Sequence, residues 1–76
     1  MVTAYIFVNL KPGSKSDFSR ESFSKIKDIK YLDLVYGAYD LVIKVEVKKL
    51  KDLQDIIKKL RKISGVEKTV TMISIK

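Results

Sequence analysis

Apolar side chains occupy every second position along the first segment, residues 2–10. Because successive side chains of a strand point to opposite faces, this alternation predicts a strand. One face carries an unbroken apolar set: Val2, Ala4, Ile6, Val8 and Leu10. The other face also carries large apolar groups, Tyr5 and Phe7. We therefore expect a strand with apolar side chains on both faces.

The clearest helical pattern lies in the second half of the chain. Its apolar positions fall on one side of a period of about 3.6 residues. They are Leu50, Leu53, Ile56, Ile57, Leu60 and Ile63. Basic residues crowd the last turns, where the helix dipole favours cations. Gly65 stands where a left-handed helix stop is expected, so the pattern predicts an amphipathic helix that ends before it.

A second, weaker helix is predicted over residues 15–27, with Ser14 or Ser16 as its N-cap. Serine interrupts its inward stripe, which makes the apolar face less continuous than that of the later helix. The stripe consists of Phe18, Ser22, Phe23, Ile26 and Ile29.

The segment Tyr36-Gly37-Ala38-Tyr39-Asp40 lies between two β-rich runs, residues 31–36 and 40–47. Short loops that contain glycine are the usual connections of β-hairpins, so this segment predicts the turn of a hairpin. Residues 66–75 form the last predicted strand, again with apolar side chains on both faces.

The predicted order is β-α-β-β-α-β, in a single domain that spans residues 1–76. This order is that of the ferredoxin-like α+β fold, a four-stranded antiparallel sheet with both helices on one face.

The sheet face that the helices leave uncovered should be polar in a monomer. Here it is expected to carry Tyr5, Phe7 and Val42. Beside them lie either Ile73 and Ile75 or Val70 and Met72, depending on the register of the last strand. An apolar area of this kind usually marks a partner surface. We therefore predict a homodimer in which two sheets pack face to face through Tyr5, Phe7, Val42 and Ile73.

Length and composition narrow the possible chemistry. A chain of 76 residues has a small core, and without cysteine or histidine it has neither disulfides nor a zinc site to add stability. Oligomerisation is the remaining way to add stability. We expect no metal and no cofactor. The chain also has no leader-like start and no apolar run long enough to span a bilayer. We therefore expect a cytoplasmic protein without membrane contact.

The net charge of +7 permits two interpretations. A basic surface is the electrostatic footprint of nucleic-acid binding. A lysine-rich, isoleucine-rich chain with few amide side chains is equally typical of a hyperthermophile surface. The lysines are spread along the whole chain, which favours the second interpretation. A basic nucleic-acid-binding module remains the alternative, and a steep loss of binding with salt would identify it.

Two further functions find little support in the residues. RNA-recognition domains of this topology stack bases on aromatic residues of the first and third strands, but residues 41–47 contain none. The chain has no histidine or cysteine for general acid–base or nucleophilic catalysis, and its carboxylates are scattered along the sequence. We therefore expect no catalytic residues and no enzyme activity.

Four short motifs occur in order along the chain: Pro12-Gly13 after the first strand, Tyr36-Gly37-x-Tyr39-Asp40, Ile63-Ser64-Gly65-Val66 and Thr69-x-Thr71. In this combination the chain resembles, from end to end, the effector-binding or RAM domain of the Lrp/AsnC transcription regulators. It looks like a stand-alone member without a helix-turn-helix domain, so direct DNA binding is not expected. The resemblance implies dimers that assemble into rings, commonly octamers, and free amino acids bound between dimers. Pairing with full-length regulators through the same sheet face is a third possibility.

The resemblance also implies a ligand site made of Tyr36, Gly37, Ala38, Tyr39, Asp40, Thr69 and Thr71. The chemistry is feasible for a free amino acid. Backbone N–H groups at the glycine turn and two threonine hydroxyls on one side of a strand would meet the carboxylate. Asp40 would accept hydrogen bonds from the ammonium group, and Tyr36 and Tyr39 would line the pocket.

Overall fold

The computed structural model describes residues 1–13 and 20–75, and within these residues the predicted order of elements is confirmed. The strands and helices are β1 Val2–Leu10, α1 Arg20–Ser24, β2 Ile29–Leu34, β3 Leu41–Val47, α2 Leu50–Arg61 and β4 Val66–Ile73.

The strands form a four-stranded sheet in the order β2-β3-β1-β4. β1 is antiparallel to both of its neighbours, with Ile6 opposite Ile43 on β3 and Thr71 on β4. β2 is antiparallel to β3 and forms one edge, while β4 forms the other. This arrangement confirms the ferredoxin-like α+β fold.

The core lies between the helices and one face of the sheet. The inner face of β1 and β3 supplies most of it, since alternate residues of both strands are buried. The buried residues are Ala4, Ile6, Val8, Leu10, Phe23, Ile26, Leu41, Ile43, Val45, Val47, Leu53, Ile56 and Leu60. The side chains on the other face of β1 and β3 are partly buried or exposed, so the helices cover only one face of the sheet.

The first helix ends earlier than the predicted residue 27. Its described part ends at Ser24, whose hydroxyl donates to the Glu21 carbonyl at 3.1 Å. That carbonyl would accept the Lys25 N–H in a continuing helix, so the serine competes with the helix ladder. Asp28 then adopts a left-handed backbone (φ +73°), which turns the chain into β2. The predicted caps Ser14 and Ser16, and Phe18, lie outside the described residues.

β2 begins two residues before the predicted range of 31–36, because the left-handed turn at Asp28 lies directly before Ile29. The strand ends at Leu34, and the Val35 N–H donates to the Asp40 carbonyl at 2.8 Å, which closes the hairpin loop. β3 accordingly begins at Leu41, one residue later than predicted. β4 ends at Ile73 rather than at residue 75.

α2 matches its prediction closely, from Leu50 to Arg61, with Leu53, Ile56 and Leu60 buried against the sheet. Leu50, at the first turn, is 52% exposed and contributes less to the core than the periodicity implies. No helix in the described part of the chain has the length and apolar content needed to cross a membrane.

The packing predicts that two substitutions of an apolar side chain by alanine will differ greatly in their effect on the free energy of unfolding. Ile43 is fully buried at the centre of the sheet, so Ile43→Ala should lower the free energy of unfolding by about 2–5 kcal/mol. Leu50→Ala should cost less than about 1 kcal/mol, because this side chain is already half exposed. Urea denaturation at one fixed protein concentration measures both. Equal losses would contradict this arrangement of the core.

Candidate functional site

The turn between β2 and β3 is attached to the end of β1. The Asp40 N–H donates to the Val8 carbonyl at 2.9 Å. In return, the Leu10 N–H donates to the Asp40 carboxylate oxygen Oδ2 at 2.7 Å. Because this second bond involves a charged acceptor and is partly buried, it is stronger than an ordinary surface hydrogen bond. Asp40 therefore fixes the position of the turn.

Two further contacts hold the tip of the turn. The Asn9 amide Nδ2 donates to the Ala38 carbonyl at 2.9 Å, across 29 residues of sequence. The Tyr39 ring packs on Phe7, with centroids 5.2 Å apart and planes inclined at 42°. Neither Asn9 nor Phe7 was predicted from the sequence to contact this turn. Asn9 did offer a weak signal, because it is the amide side chain of β1 and can both donate and accept hydrogen bonds.

Gly37 adopts φ +141°, a backbone conformation that residues with a side chain rarely adopt. A Cβ built at this position would meet no atom within 4 Å. Glycine is therefore required here by the backbone torsion and not by crowding. Tyr36 beside it is 96% exposed, so the turn presents its tip to the solvent.

Thr69 and Thr71 lie on the helix side of β4. Thr69 is opposite Val8 and Thr71 is opposite Ile6, and both of these β1 residues are buried beneath the helices. The two hydroxyls therefore share one side of the strand, as predicted. Thr69 Oγ1 accepts a hydrogen bond from Arg61 Nε at 3.3 Å. An open depression of about 340 Å³ adjoins Thr69, and it is lined by Arg61, Val66, Glu67, Lys68 and Thr69.

The two halves of the predicted ligand site do not meet within one chain. Tyr39 packs on Phe7, which lies on the uncovered face of the sheet, whereas Thr69 and Thr71 lie on the helix face. β1 also separates them, because it lies between β3 and β4. The structure thus groups Tyr36 to Asp40 in one place and the two threonines in another. A pocket that contains both groups requires two copies of the chain.

The uncovered face of the sheet, which we name the open face, is rich in apolar side chains. The register places Val42 and Val70 on either side of Phe7, and Met72 beside Tyr5. Tyr31, which was not predicted to lie there, is opposite Lys44 and is 62% exposed. The apolar members of the open face are Tyr5, Phe7, Tyr31, Val42, Val70 and Met72.

The register corrects the face assigned to Ile73. Ile73 is opposite Ala4, whose side chain is buried under the helices, so Ile73 lies on the helix face. Because β4 is apolar on both faces, its own sequence does not reveal which set points outwards. Hydrogen bonding to β1 decides this, and it selects Val70 and Met72.

Lys44 is the central cation of the open face. Its ammonium lies 5.9 Å from the centroid of Tyr5 and 5.6 Å from that of Tyr31. A carboxylate oxygen of Glu46 is 4.0 Å away. The two rings stabilise the charge by cation–π attraction while the lysine stem covers apolar surface. A charged side chain is thus accommodated within an apolar face.

The described residues offer little for metal or acid–base chemistry. Among them, no group of three or more histidine, cysteine, aspartate or glutamate side chains could hold a metal ion. The buried side chains of this part of the chain are all hydrophobic. The arrangement instead suits non-covalent recognition at exposed surfaces.

Comparison with known sequences gives a consistent result. The family model described as "Lrp/AsnC ligand binding domain" matches residues 3–76. The chain is 35% identical over 75 residues to the uncharacterized HTH-type transcriptional regulator PH1916 of Pyrococcus horikoshii, covering 95% of this chain and 50% of that protein. It is 33% identical over 73 residues to the HTH-type transcriptional regulator FL11 of the same organism, covering 96% and 48%. The chain thus spans about half the length of these curated relatives.

Solved structures show the same fold. The hypothetical protein PHS023 from Pyrococcus horikoshii is 38% identical, with a TM-score of 0.83 over 100% of this chain and 92% of that one. The transcriptional regulator NMB0573 from Neisseria meningitidis, solved as a complex with L-Met, has a TM-score of 0.85 at 14% identity. That match covers 99% of this chain and 50% of the regulator, and at this identity it shows the fold alone.

We expect the Asp40 carboxylate to stabilise the fold, because it holds the turn to β1. Asp40→Ala should lower the free energy of unfolding by about 1–3 kcal/mol, because the partly buried Leu10 N–H loses a charged acceptor. Asp40→Asn should cost less, since an amide oxygen can still accept the bond. Chemical denaturation at matched protein concentration measures both variants.

Asp55→Ala is the matched control, because Asp55 is exposed on α2. Its effect should stay within about 0.5 kcal/mol, as for most surface substitutions. An Asp40→Ala protein as stable as the control would show that the carboxylate does not hold the turn.

Proposed function

Because this chain belongs to the Lrp/AsnC ligand-binding domain family, we propose that it is a module that binds free amino acids and oligomerises. Membership confirms the resemblance carried by the four motifs. The curated relatives are HTH-type transcriptional regulators, and the chain corresponds to about half of each. Its contribution to transcription would therefore be regulatory, through ligand binding and assembly.

The observation that carries this proposal is the separation of the two motif groups. The turn at Tyr36 to Asp40 is held rigidly but exposed at its tip, and Thr69 with Thr71 lies on the opposite face. Neither group alone encloses a small molecule. Each becomes half of a pocket when the turn of one copy meets the threonines of another.

The open face supports the first step of assembly. Six apolar side chains lie on this face, distributed over all four strands, with Lys44 and Asp33 among them. Exposed apolar areas of this kind on a small domain are typical of protein interfaces. Two copies packed through the open face would form a dimer. The threonines lie on the outer, helix side of that dimer, where further dimers can reach them. Contacts between dimers would then build a ring, with an octamer as the expected size.

The proposed ligand chemistry uses both groups. The threonine hydroxyls and the backbone N–H groups of Gly37 and Ala38 donate to the carboxylate of an amino acid. The Asp40 carboxylate accepts hydrogen bonds from the ammonium group. A carboxylate has about four lone-pair sites, so its bond to Leu10 does not exhaust its capacity. Asp40 therefore both holds the turn and recognises the ligand.

The N. meningitidis regulator of the same fold was solved with L-Met, and this chain is proposed to bind a ligand of that class. Full-length regulators with the same domain are the proposed protein partners, through the open face. In this proposal the module itself does not contact DNA.

One observation favours a second candidate function, nucleic-acid binding. Tyr5 and Tyr31 flank Lys44 on the open face, and aromatic rings beside a cation can stack and neutralise single-stranded nucleic acid. This use of the open face excludes its use in a dimer. Binding of a single-stranded oligonucleotide that falls steeply with salt, by a monomeric protein, would favour this candidate.

The proposal predicts binding of free amino acids with a change in assembly. A thermal-shift screen of the standard L-amino acids should raise the melting temperature for at least one of them, because a ligand that binds only the folded state stabilises it. Sedimentation velocity with that amino acid should show a larger share of the higher oligomer, since the pocket lies between copies.

A matched pair of variants locates the site. Thr69→Val combined with Thr71→Val should weaken binding about tenfold or more, through loss of two hydroxyl donors with little change in shape. Thr3→Val is the control, because Thr3 lies on β1 away from both groups. No thermal shift with any amino acid, or equal binding by all variants, would contradict the proposal.

The dimer is tested through Met72, which is on the open face and 56% exposed. Met72→Lys should reduce the mass measured by light scattering from that of a dimer or larger assembly towards that of a monomer, because a charge would be buried in an apolar interface. Leu50→Lys, an exposed apolar position outside the open face, should leave the mass unchanged. Circular dichroism checks that both variants fold. Dissociation by both variants, or by neither, would argue against this interface.

A further inference from the structure

Arg61 is the last residue of α2, and its side chain reaches across to β4. Its Nε–H donates to Thr69 Oγ1 at 3.3 Å, and both residues line the open depression. From the sequence, Arg61 was only one of several cations favoured near a helix C-terminus. The structure places its guanidinium beside a threonine of the proposed ligand site.

This contact uses the Thr69 oxygen as an acceptor. The hydroxyl hydrogen can therefore still be donated to another group. A guanidinium carries five N–H donors and no acceptor, so the bond to Thr69 uses only one of them. The pair therefore offers several donors and a positive charge to the same space. Such a surface fits a carboxylate, which arginine binds with two parallel hydrogen bonds.

The charged residues that line the depression are Arg61, Glu67 and Lys68. Lys68 is opposite Asn9 in the sheet, so its side chain points to the open face, away from Thr69, and Arg61 is the cation beside the threonine. Within residues 1–13 and 20–75, no carboxylate lies within 4.0 Å of the Arg61 guanidinium in an ion pair. Glu67 opposes an anion and would favour a ligand that carries an ammonium group as well. A free amino acid has both charges.

We infer that Arg61 binds the carboxylate of the amino-acid ligand, with the Thr69 hydroxyl as a second donor. This inference rests on the proposed function and adds to it a residue that determines specificity. Arg61 makes the threonine half of the site selective for molecules with a free carboxylate. The turn of a second copy, with Asp40, then recognises the ammonium group.

The experiment compares an amino acid with its own carboxamide. The probes are the L-amino acid that gives the largest thermal shift and the corresponding L-amino acid amide, which keeps the shape and the ammonium group but lacks the negative charge. Calorimetry should show that the unmodified chain binds the amino acid at least about tenfold more tightly than the amide.

Arg61→Gln should weaken binding of the amino acid about tenfold to a hundredfold and leave binding of the amide nearly unchanged. The preference for the carboxylate is then lost. Arg61→Lys should retain part of it, because a lysine keeps the charge but not the planar pair of donors. Lys62→Gln is the matched control, since it removes one exposed positive charge from the adjacent position and should keep the preference.

The outcomes separate the inference from the proposed function. If the unmodified chain binds no amino acid, both are overturned. If it binds and Arg61→Gln keeps the preference for the carboxylate, the inference fails while the proposed function stands. If Arg61→Gln weakens the amino acid and the amide equally, Arg61 only positions Thr69, and the inference fails as well. Equal loss of preference in Lys62→Gln would show a general effect of net charge and would also overturn it.

Discussion

The central strand β1 is hydrogen-bonded to a neighbour on each side and carries apolar side chains on both faces. Because side chains alternate along a strand, one face of β1 can join the core only if the other points away from the helices. Ala4, Ile6 and Val8 are buried under the helices, so Tyr5 and Phe7 are committed to the open face. Within the described part of the chain, the helices thus leave an apolar face of the sheet uncovered. The proposed assembly follows from this constraint.

The same strand connects assembly with the proposed ligand site. Phe7 lies on the open face and also packs on Tyr39 of the turn, while Asn9 and Leu10 bond to Ala38 and Asp40. In the proposed dimer, a change at the interface would therefore act on residues that contact the turn directly. On the other side of β1, Thr69 and Arg61 are positioned by β4 and α2. A pocket formed between copies would join these two groups, which gives ligand binding a direct means of stabilising the assembly.

The order of elements and α2 could be predicted from the sequence because hydrophobic periodicity is a local property. The inner face of β1 was equally clear, since one alternating set is entirely apolar. The face of Ile73 was not, because both sets on β4 are apolar and only pairing with β1 distinguishes them. The start of β2 was predicted two residues too late, because the left-handed turn at Asp28 that precedes it leaves no periodic signal.

The candidate site was predictable only in part. The motifs indicated the turn and the threonines, but their placement on opposite faces depends on the sheet order. Asn9 and Arg61 contact these groups through tertiary hydrogen bonds, which leave no periodic signal in the sequence.

The central claim is that the open face is covered by a second copy of the chain. Isotope-filtered nuclear Overhauser spectroscopy on an equal mixture of labelled and unlabelled protein tests it most directly. A dimer through the open face predicts intermolecular contacts among the ring protons of Tyr5 and Phe7 and the methyl groups of Val42, Val70 and Met72. Contacts between copies that involve only other surfaces, or a monomer with no intermolecular contacts at the concentrations used, would contradict it.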